Sequence, residues 1–229
     1  MVGVLAGRRR IIREAALHTN PAFRPNSTDE SFALAREIGF GMLAVSADGA
    51  APLLSHVPFL IGNDSKTAQL HLTRSNPIAR ACDTVMPARI AVQGPHSYIS
   101  PDWYGLEDQV PTWNYLAIHL TGTLVALPDE TLPDMLAQLS HHFEERLAPK
   151  PEWGIDKMPE EVFTRMLRQI RSFQFRIDSV DATWKLSQNK PEGARQSAAD
   201  HVAAYGIGQE TRILAALMRK PPQGPDRQA

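Results

Sequence analysis

Short strand-like runs separated by turns constrain this chain more than any other feature of its sequence. Between residues 40 and 127 there are five such runs: FGMLAVSA (40–47), PLLSHVPFLI (52–61), KTAQLHLT (66–73), ARIAVQG (88–94) and TWNYLAIHLTGTLVAL (112–127). The turn sequences DGA (48–50) and GNDS (62–65) predict that the first three runs are antiparallel neighbours. A sixth run, SFQFRIDSVDATW (172–184), is placed to complete the sheet. The pattern therefore predicts a mostly antiparallel β-barrel with peripheral helices, an α+β fold, with a bulge or corner at Gly122.

Helical signals surround these strands. The segments 131–147 and 160–170 place apolar residues at a spacing of 3.6 along one face. Shorter helices are predicted at 31–37, 77–82, 194–205 and 209–218. Because no internal repeat or long linker interrupts the chain, residues 21–206 are predicted to form one domain. An N-terminal extension (1–20) would precede this domain, and a C-terminal helix (207–219) and a disordered tail (220–229) would follow it.

Composition and charge argue against several classes of function. The 24 basic and 25 acidic residues give a net charge of −1, so no overall field favours nucleic acid or an anionic membrane. The sequence shows neither a signal peptide nor a run of about 20 apolar residues that could span a bilayer. The single cysteine, Cys82, excludes an internal disulfide and fits a reducing compartment. We therefore expect a cytoplasmic protein without membrane association, and direct DNA binding is doubtful, although the helices in 194–218 could form a helix-turn-helix.

One segment concentrates aromatic residues in a chain that contains only 7% of them: QGPHSYISPDWYGLEDQVPTWNYLAIH (93–119). It begins and ends like a strand, and prolines interrupt its centre. Such a segment either fills an awkward corner of the core or lines a site for a flat ligand. The residues alone leave both interpretations open.

A candidate anion site lies in HLTRSNPIAR (71–80). Ser75 and Asn76 are good helix N-cap residues, and Pro77 suits the first helical position. Free backbone N–H groups there, together with the guanidinium groups of Arg74 and Arg80, would suit a phosphate. The alternative interpretation is a capped helix with two surface arginines.

Two further sets of residues can each be interpreted in more than one way. Histidines on predicted strands, His56, His71 and His119, are either lining or core residues, or ligands of a metal or haem. In DATWKLSQNKPEG (181–193), Trp184 either stacks on a planar ring or anchors a polar turn. Nucleotide-binding and metal-binding signatures such as GxGxxG, CxxC and HExxH are absent from the sequence.

Four motifs together resemble a known family. HLTRSNP (71–77), QGPHSYISPDWY (93–104), VPTWNY (110–115) and WKLSQNK (184–190) occur in an order and spacing similar to the PaiB-like family, described as FMN-binding negative transcriptional regulators. The likeness extends from about Pro21 to Tyr205. It implies an FMN-binding split barrel related to pyridoxamine-phosphate oxidases and to haem-degrading flavin-fold proteins. It also implies a homodimer that holds FMN at the subunit interface.

The resemblance also implies which residues bind the cofactor. Ser55, His56 and Val57 would lie along the isoalloxazine ring. The motif that begins at His71 would hold the phosphate through Thr73, Arg74, Ser75 and Asn76, together with Arg80. Gln93 would reach the ring edge, and Trp113 would form an apolar wall with Trp103, Tyr104 and Tyr115. The partner subunit would contribute Trp184, Lys185 and Gln188.

Three functions are compatible with this resemblance. The first is a regulator whose partner interactions depend on FMN. The second is a flavin-dependent oxidoreductase acting on a small-molecule substrate, in which the flavin would supply the chemistry and no catalytic side chain can be named from the sequence. The third is a haem-binding split-barrel protein that uses one of the histidines.

Overall fold

The computed structural model describes residues 18–25, 27–46 and 49–221. Most of the predicted N-terminal extension and of the predicted tail lies outside these ranges. Within them, the strands are β1 (Phe40–Val45), β2 (Leu53–Pro58), β3 (Leu60–Ile61), β4 (Thr67–Thr73), β5 (Val85–Ile99), β6 (Thr112–Ala126), β7 (Ile170–Lys185) and β8 (Gly208–Gln209). The helices are α1 (Thr28–Ile38), α2 (Pro77–Ala81), α3 (Leu132–Glu144), α4 (Glu160–Leu167), α5 (Glu192–Tyr205) and α6 (Thr211–Arg219).

The strands form one antiparallel sheet whose two edge strands follow each other directly in the sequence. The strand order is β2-β1-β5-β6-β7-β4-β3, and β8 pairs with β5. Although β2 and β3 stand at opposite ends of this order, only Phe59 separates them. Residues 53–61 therefore pair with β1 through β2 and with β4 through β3, which closes the sheet into a barrel. The predicted antiparallel barrel with peripheral helices is confirmed.

Alternate residues of the strands fill the barrel interior, as the two-residue period of a strand requires. The inward side chains are almost completely buried; they include Leu43, Val57, Leu70, Ile90, Val92, Leu116, Ile118, Leu120, Phe173 and Phe175. Cys82 is buried beside them as a free thiol. The intervening residues of the same strands point outward and line the outer face of the sheet.

The aromatic segment is mostly strand rather than loop. β5 continues to Ile99, so only residues 100–111 connect it to β6, and they include a short 3-10 turn at Pro101–Tyr104. The register between β5 and β6 shifts between Gln93 and His96. A proline is tolerated at such a bulge because the missing N–H is not needed for pairing, which explains why Pro95 does not end the strand.

The bulge predicted at Gly122 is confirmed. Thr121 lies opposite Ser179 whereas Gly122 lies opposite Ile177, so Asp178 is the extra residue on β7. A Cβ atom on Gly122 would stand 1.8 Å from the carbonyl oxygen of Arg176. Only glycine permits this close approach of the two backbones.

Three of the four family-like motifs meet in one buried hydrogen-bond network. The Tyr104 hydroxyl lies 2.7 Å from the Ser187 Oγ, and the Asn114 side-chain amide donates to the same oxygen at 2.8 Å. All three side chains are buried. The Asn114 amide also approaches the Met218 sulfur of α6 at 3.5 Å. The network therefore joins the 101–104 turn, β6, the turn after β7 and the last helix.

The segment after Tyr205 packs into the same core. Leu214, Ala215 and Met218 of α6 are fully buried, and β8 extends the sheet along β5. The predicted division of the chain at residue 206 stays a prediction.

Replacing Ser187 with alanine is expected to destabilise the fold. The change leaves the Tyr104 hydroxyl and the Asn114 amide buried with a lost partner, which should lower the free energy of unfolding by about 1–3 kcal/mol. Urea unfolding followed by circular dichroism measures this difference. Ser75→Ala is the matched control, because Ser75 is exposed and makes only a 3.3 Å hydrogen bond to Thr73; it should change stability by less than about 0.5 kcal/mol. Equal unfolding midpoints for the two variants would contradict the structural role of the network.

Candidate functional site

The outer face of the sheet carries a cleft of about 710 Å³ over β2, β1, β5 and β6. This volume lies in the range of small-molecule and cofactor sites. Outward side chains form most of its lining, and α1 and β8 contribute one residue each. The side chains concerned are Ile38, Phe40, Met42, His56, Ala91, Gln93, His96, Trp113, Tyr115, Ala117, His119 and Gln209.

Strand register places five outward residues in a single row across the sheet, which we call the His56–Asp181 row. Met42 lies opposite His56 on one side and Ala91 on the other. Ala91 lies opposite His119, which in turn lies opposite Asp181 of β7. With strands about 4.8 Å apart, His56 and His119 are separated by about 14 Å along the sheet. Between the two histidines the floor of the cleft carries only Met42 and Ala91, which suits a flat apolar body with polar edges.

Aromatic rings stand at the margins of this floor. Trp113 is 45% exposed, and its ring centroid lies 5.8 Å from that of His96. Phe40 is 49% exposed and stacks on the His56 ring at 6.2 Å. Exposed large rings around a concave apolar floor offer stacking area to a planar ligand.

Polar groups enter the cleft at two places. At one end, the Gln93 side-chain amide donates to His96 Nδ1 at 3.0 Å, which fixes the amide beside the bulge. Further along β6, His119 faces the cleft. Burial lowers the pKa of His119 below its usual value, Arg89 lowers this pKa further, and Asp181 opposes both effects.

The structure brings three of the predicted cofactor-binding side chains into the cleft: His56, Gln93 and Trp113. Neighbouring residues of β2 behave differently because side chains alternate along a strand. Val57 points into the barrel core with 1% of its surface exposed. Ser55 accepts a hydrogen bond from the Asn76 side-chain amide at 3.0 Å. This bond attaches the predicted phosphate-binding turn to β2, next to His56.

The turn after β4 has the local geometry that the sequence predicts. Asn76 is the N-cap of α2 and accepts a hydrogen bond from the Ile78 N–H at 2.9 Å, and Pro77 opens the helix. Arg74 is already engaged, since it pairs with Asp129 at 2.5 Å and donates to the Arg168 carbonyl. Arg80 is exposed, and its guanidinium makes neither a hydrogen bond nor an ion pair with the part of the chain that the structure describes. Thr73 and Ser75 are exposed as well.

Other predicted residues lie away from the cleft of their own subunit. His71 faces outward on β4, but its Nδ1 atom is buried without a hydrogen-bond partner, and burial lowers its pKa. Trp184 is in the core with 7% of its surface exposed. Lys185 donates to the Thr112 hydroxyl, and Gln188 closes its own turn through Leu186 and Trp184. The predicted approach of Trp184, Lys185 and Gln188 to a partner subunit's site stays a prediction.

The prediction of an apolar wall is wrong for Tyr104, and for Trp103 it stays a prediction, since Trp103 lies outside the cleft of its own subunit. Tyr104 is buried in the Ser187 network, so it cannot form a wall of the site. Trp103 stacks on His201 of α5 with ring centroids 5.6 Å apart and is not part of the cleft lining. Both residues follow the end of β5, where the 3-10 turn directs them toward α5 and not toward the outer face of the sheet.

Sequence reasoning missed much of the floor, including Met42, Ala91, Ala117 and the histidine at position 96. A signal for this floor exists in the runs ARIAVQG and YLAIH. At their outward positions both runs carry alanine, where a solvent-facing strand commonly carries a polar residue. Small side chains at adjacent outward positions of paired strands indicate a face that another body covers.

The described ranges contain neither a membrane-spanning helix nor a cluster of metal-ligating side chains. None of the helices there has the length and apolar character needed to cross a bilayer. No group of three or more His, Cys, Asp or Glu side chains is arranged to hold a metal ion among those residues.

Comparison with known sequences identifies relatives over most of the chain. Residues 17–179 match the family model described as "Putative FMN-binding domain". This match ends before the WKLSQNK motif. The chain is also 30% identical over 172 residues to the protease synthase and sporulation protein PAI 2 of Bacillus subtilis (strain 168), covering 74% of this chain and 81% of that protein.

Solved structures share the fold at low sequence identity. The FAD and heme binding protein from Mycobacterium smegmatis superposes with a TM-score of 0.52 at 18% identity, covering 81% of each chain. A conserved hypothetical protein from Mycobacterium tuberculosis gives a TM-score of 0.52 at 10% identity, covering 76% of this chain and 94% of that one. These likenesses confirm the split-barrel fold. Together with the sequence matches, they show that this chain belongs to the PaiB-like family of FMN-binding split-barrel domains.

Proposed function

We propose that the cleft binds FMN, with the isoalloxazine ring lying on the His56–Asp181 row. The observation that carries this proposal is the row itself, an apolar floor of Met42 and Ala91 with an imidazole at each end. A tricyclic ring with an apolar body and polar edges matches that pattern. FMN would supply electron transfer, while the residues of the chain bind and orient it and exclude water from one face.

The phosphate is proposed to lie at the turn after β4. Support comes from the Asn76–Ser55 hydrogen bond, which holds this turn beside the end of the row that carries His56. Thr73 and Ser75 offer exposed hydroxyl groups, and Arg80 offers a guanidinium without another partner in the described chain. Arg74 would have to leave Asp129 to take part, so Arg80 is the stronger candidate for the ionic contact.

Haem is the second candidate ligand, because His56, His96 and His119 all line the cleft. The structural neighbour from Mycobacterium smegmatis is described as binding both FAD and haem. An absorption spectrum of the purified protein separates the two ligands, since haem gives a Soret band and FMN gives flavin maxima.

A bulky residue in the floor should weaken flavin binding. Ala117→Phe places a ring over the cleft, whereas Thr123→Phe, two outward positions further along β6 from His119, lies outside the cleft lining and serves as the matched control. We expect a loss of at least about tenfold in FMN affinity for the first variant, equivalent to about 1.4 kcal/mol, and wild-type affinity for the second. Quenching of flavin fluorescence measures both. Equal affinities would place the flavin elsewhere.

Light scattering during the FMN titration measures the mass of the particle and so tests whether the protein is a dimer. We propose a homodimer, because the exposed rings of Trp113 and Phe40 leave one side of the cleft for another surface to cover. The expected particle has twice the chain mass of 25.4 kDa and one FMN per chain. A monomer that binds FMN stoichiometrically would rule out a shared site.

Comparison of FMN with riboflavin tests the phosphate position. Arg80→Ala should weaken FMN about tenfold or more by removing a charge-assisted contact, and should leave riboflavin binding nearly unchanged. Arg165→Ala, another exposed arginine without a partner in the described chain, is the control for a general change in surface charge. Loss of affinity for both flavins would point to a structural effect, and unchanged FMN affinity would exclude Arg80 from the phosphate site.

A regulatory role is proposed to act through the flavin, a metabolite or a protein partner, and not through direct contact with DNA. The net charge of −1 supports this, as does α6, where Arg219 is paired with Asp200. The free, buried Cys82 fits the reducing conditions of the cytoplasm, where we place this activity. Mobility-shift titrations at physiological salt should show only weak, salt-sensitive binding. Tight, sequence-specific binding would contradict this part of the proposal.

A further inference from the structure

One end of the His56–Asp181 row differs from the other in its charged neighbours. His119 has a carboxylate directly beyond it, because Asp181 lies opposite it on β7, on the side away from the floor. Arg89 faces His119 from β5, one row along the barrel, and donates to the Thr121 hydroxyl at 3.0 Å. On β1 and β2 the row continues with Met42 and His56, and the outward neighbours of His119 on its own strand, Ala117 and Thr121, are uncharged.

We propose that His119, positioned by Asp181, holds a proton against the polar edge of the flat ligand in the cleft. This inference rests on the proposed function, since it assigns a role toward a bound flavin. An imidazole can engage a carboxylate through one ring nitrogen and present the other to a ligand, and the carboxylate then fixes the orientation of the ring. The row supplies that order of groups: carboxylate, imidazole and then the open floor over Ala91 and Met42. His56, at the opposite end, has the uncharged Met42 as its neighbour in the row, so the two ends of the floor differ chemically.

The electrostatic balance at His119 makes its protonation responsive to a ligand. Partial burial and Arg89 favour the neutral imidazole, whereas Asp181 favours the protonated form. A ligand that gains negative charge beside His119 would favour the protonated form of His119, as Asp181 does. Coupling of this kind is reciprocal, so a protonated His119 must also bind the negatively charged ligand more tightly than the neutral one.

Reduced and oxidised FMN provide the probe, because the reduced ring carries more negative charge. Their relative affinities follow from the midpoint potential of bound FMN compared with free FMN, measured from about pH 8 down to about pH 4.5, because the pKa of His119 lies below the usual histidine value. For the wild-type protein, the preference for reduced FMN should strengthen at least about fivefold as the pH falls through the pKa of His119. In H119Q this pH dependence should disappear, and in D181N it should move to lower pH because the group that favours protonation is gone.

A matched control and a second readout keep the test specific. His141 also has a carboxylate partner, Glu152 at 2.8 Å, but lies outside the cleft, so H141Q should reproduce the wild-type profile. NMR titration of the histidine ring resonances in the flavin-free protein should give a lower midpoint for His119 in D181N than in wild type, independently of any flavin.

The outcomes separate this inference from the proposed function. If FMN binds and H119Q keeps the wild-type pH profile, His119 does not hold the proton and the inference alone is overturned. An unchanged His119 titration in D181N would overturn the assignment of Asp181. If neither form of FMN binds the wild-type protein, the proposed function is overturned and this inference falls with it.

Discussion

The backbone pairing of β5 with β6 fixes both the interior of the barrel and the surface that carries the site. Because successive side chains of a strand point to opposite faces, one register sends Ile90 and Ile118 into the core and Ala91 and His119 to the outside. A slip of one residue would expose the core residues and bury the histidine, so the apolar packing inside holds the outer row in place. Main-chain hydrogen bonds and core packing therefore fix the positions of the side chains in the outer row.

The family-like motifs contribute residues both to the core and to the lining of the cleft. Tyr104, Asn114 and Ser187 come from three motifs, and their polar groups form hydrogen bonds with one another inside the protein. Buried polar groups of this kind must be satisfied, and once satisfied they define a single arrangement of the connecting segments. Tyr115 and Trp113, only one residue to either side of Asn114, face the cleft instead. A single short motif thus contributes to the core on one face and to the cleft on the other.

The site is extended, and its parts are held by different elements. The row across β2, β1, β5 and β6 provides the floor, and the Asn76–Ser55 hydrogen bond ties the turn before α2 to the edge of that floor. Charge is distributed unevenly along it: the guanidinium of Arg80 has no partner within the described chain, and Asp181 lies opposite His119 beyond the β6 edge of the floor. A ligand with an anionic tail and a ring whose charge changes would meet a suitable partner at each end.

The sequence by itself determined the strands, the barrel, the glycine bulge at 122, the capped turn at Asn76 and the family, because each of these depends on local periodicity, turn chemistry or contiguous motifs. Three residues that the sequence predicted to bind the cofactor, His56, Gln93 and Trp113, line the cleft, and their contact with FMN stays a prediction. Sequence could not reveal that His56, Met42, Ala91, His119 and Asp181 form one row, since these residues are brought into line only by the register of five strands. Nor could it show that Tyr104 and Trp184 face inward while Trp113 faces outward. That distinction depends on which side of the sheet the core occupies, and only the closure of residues 53–61 between β1 and β4 decides it.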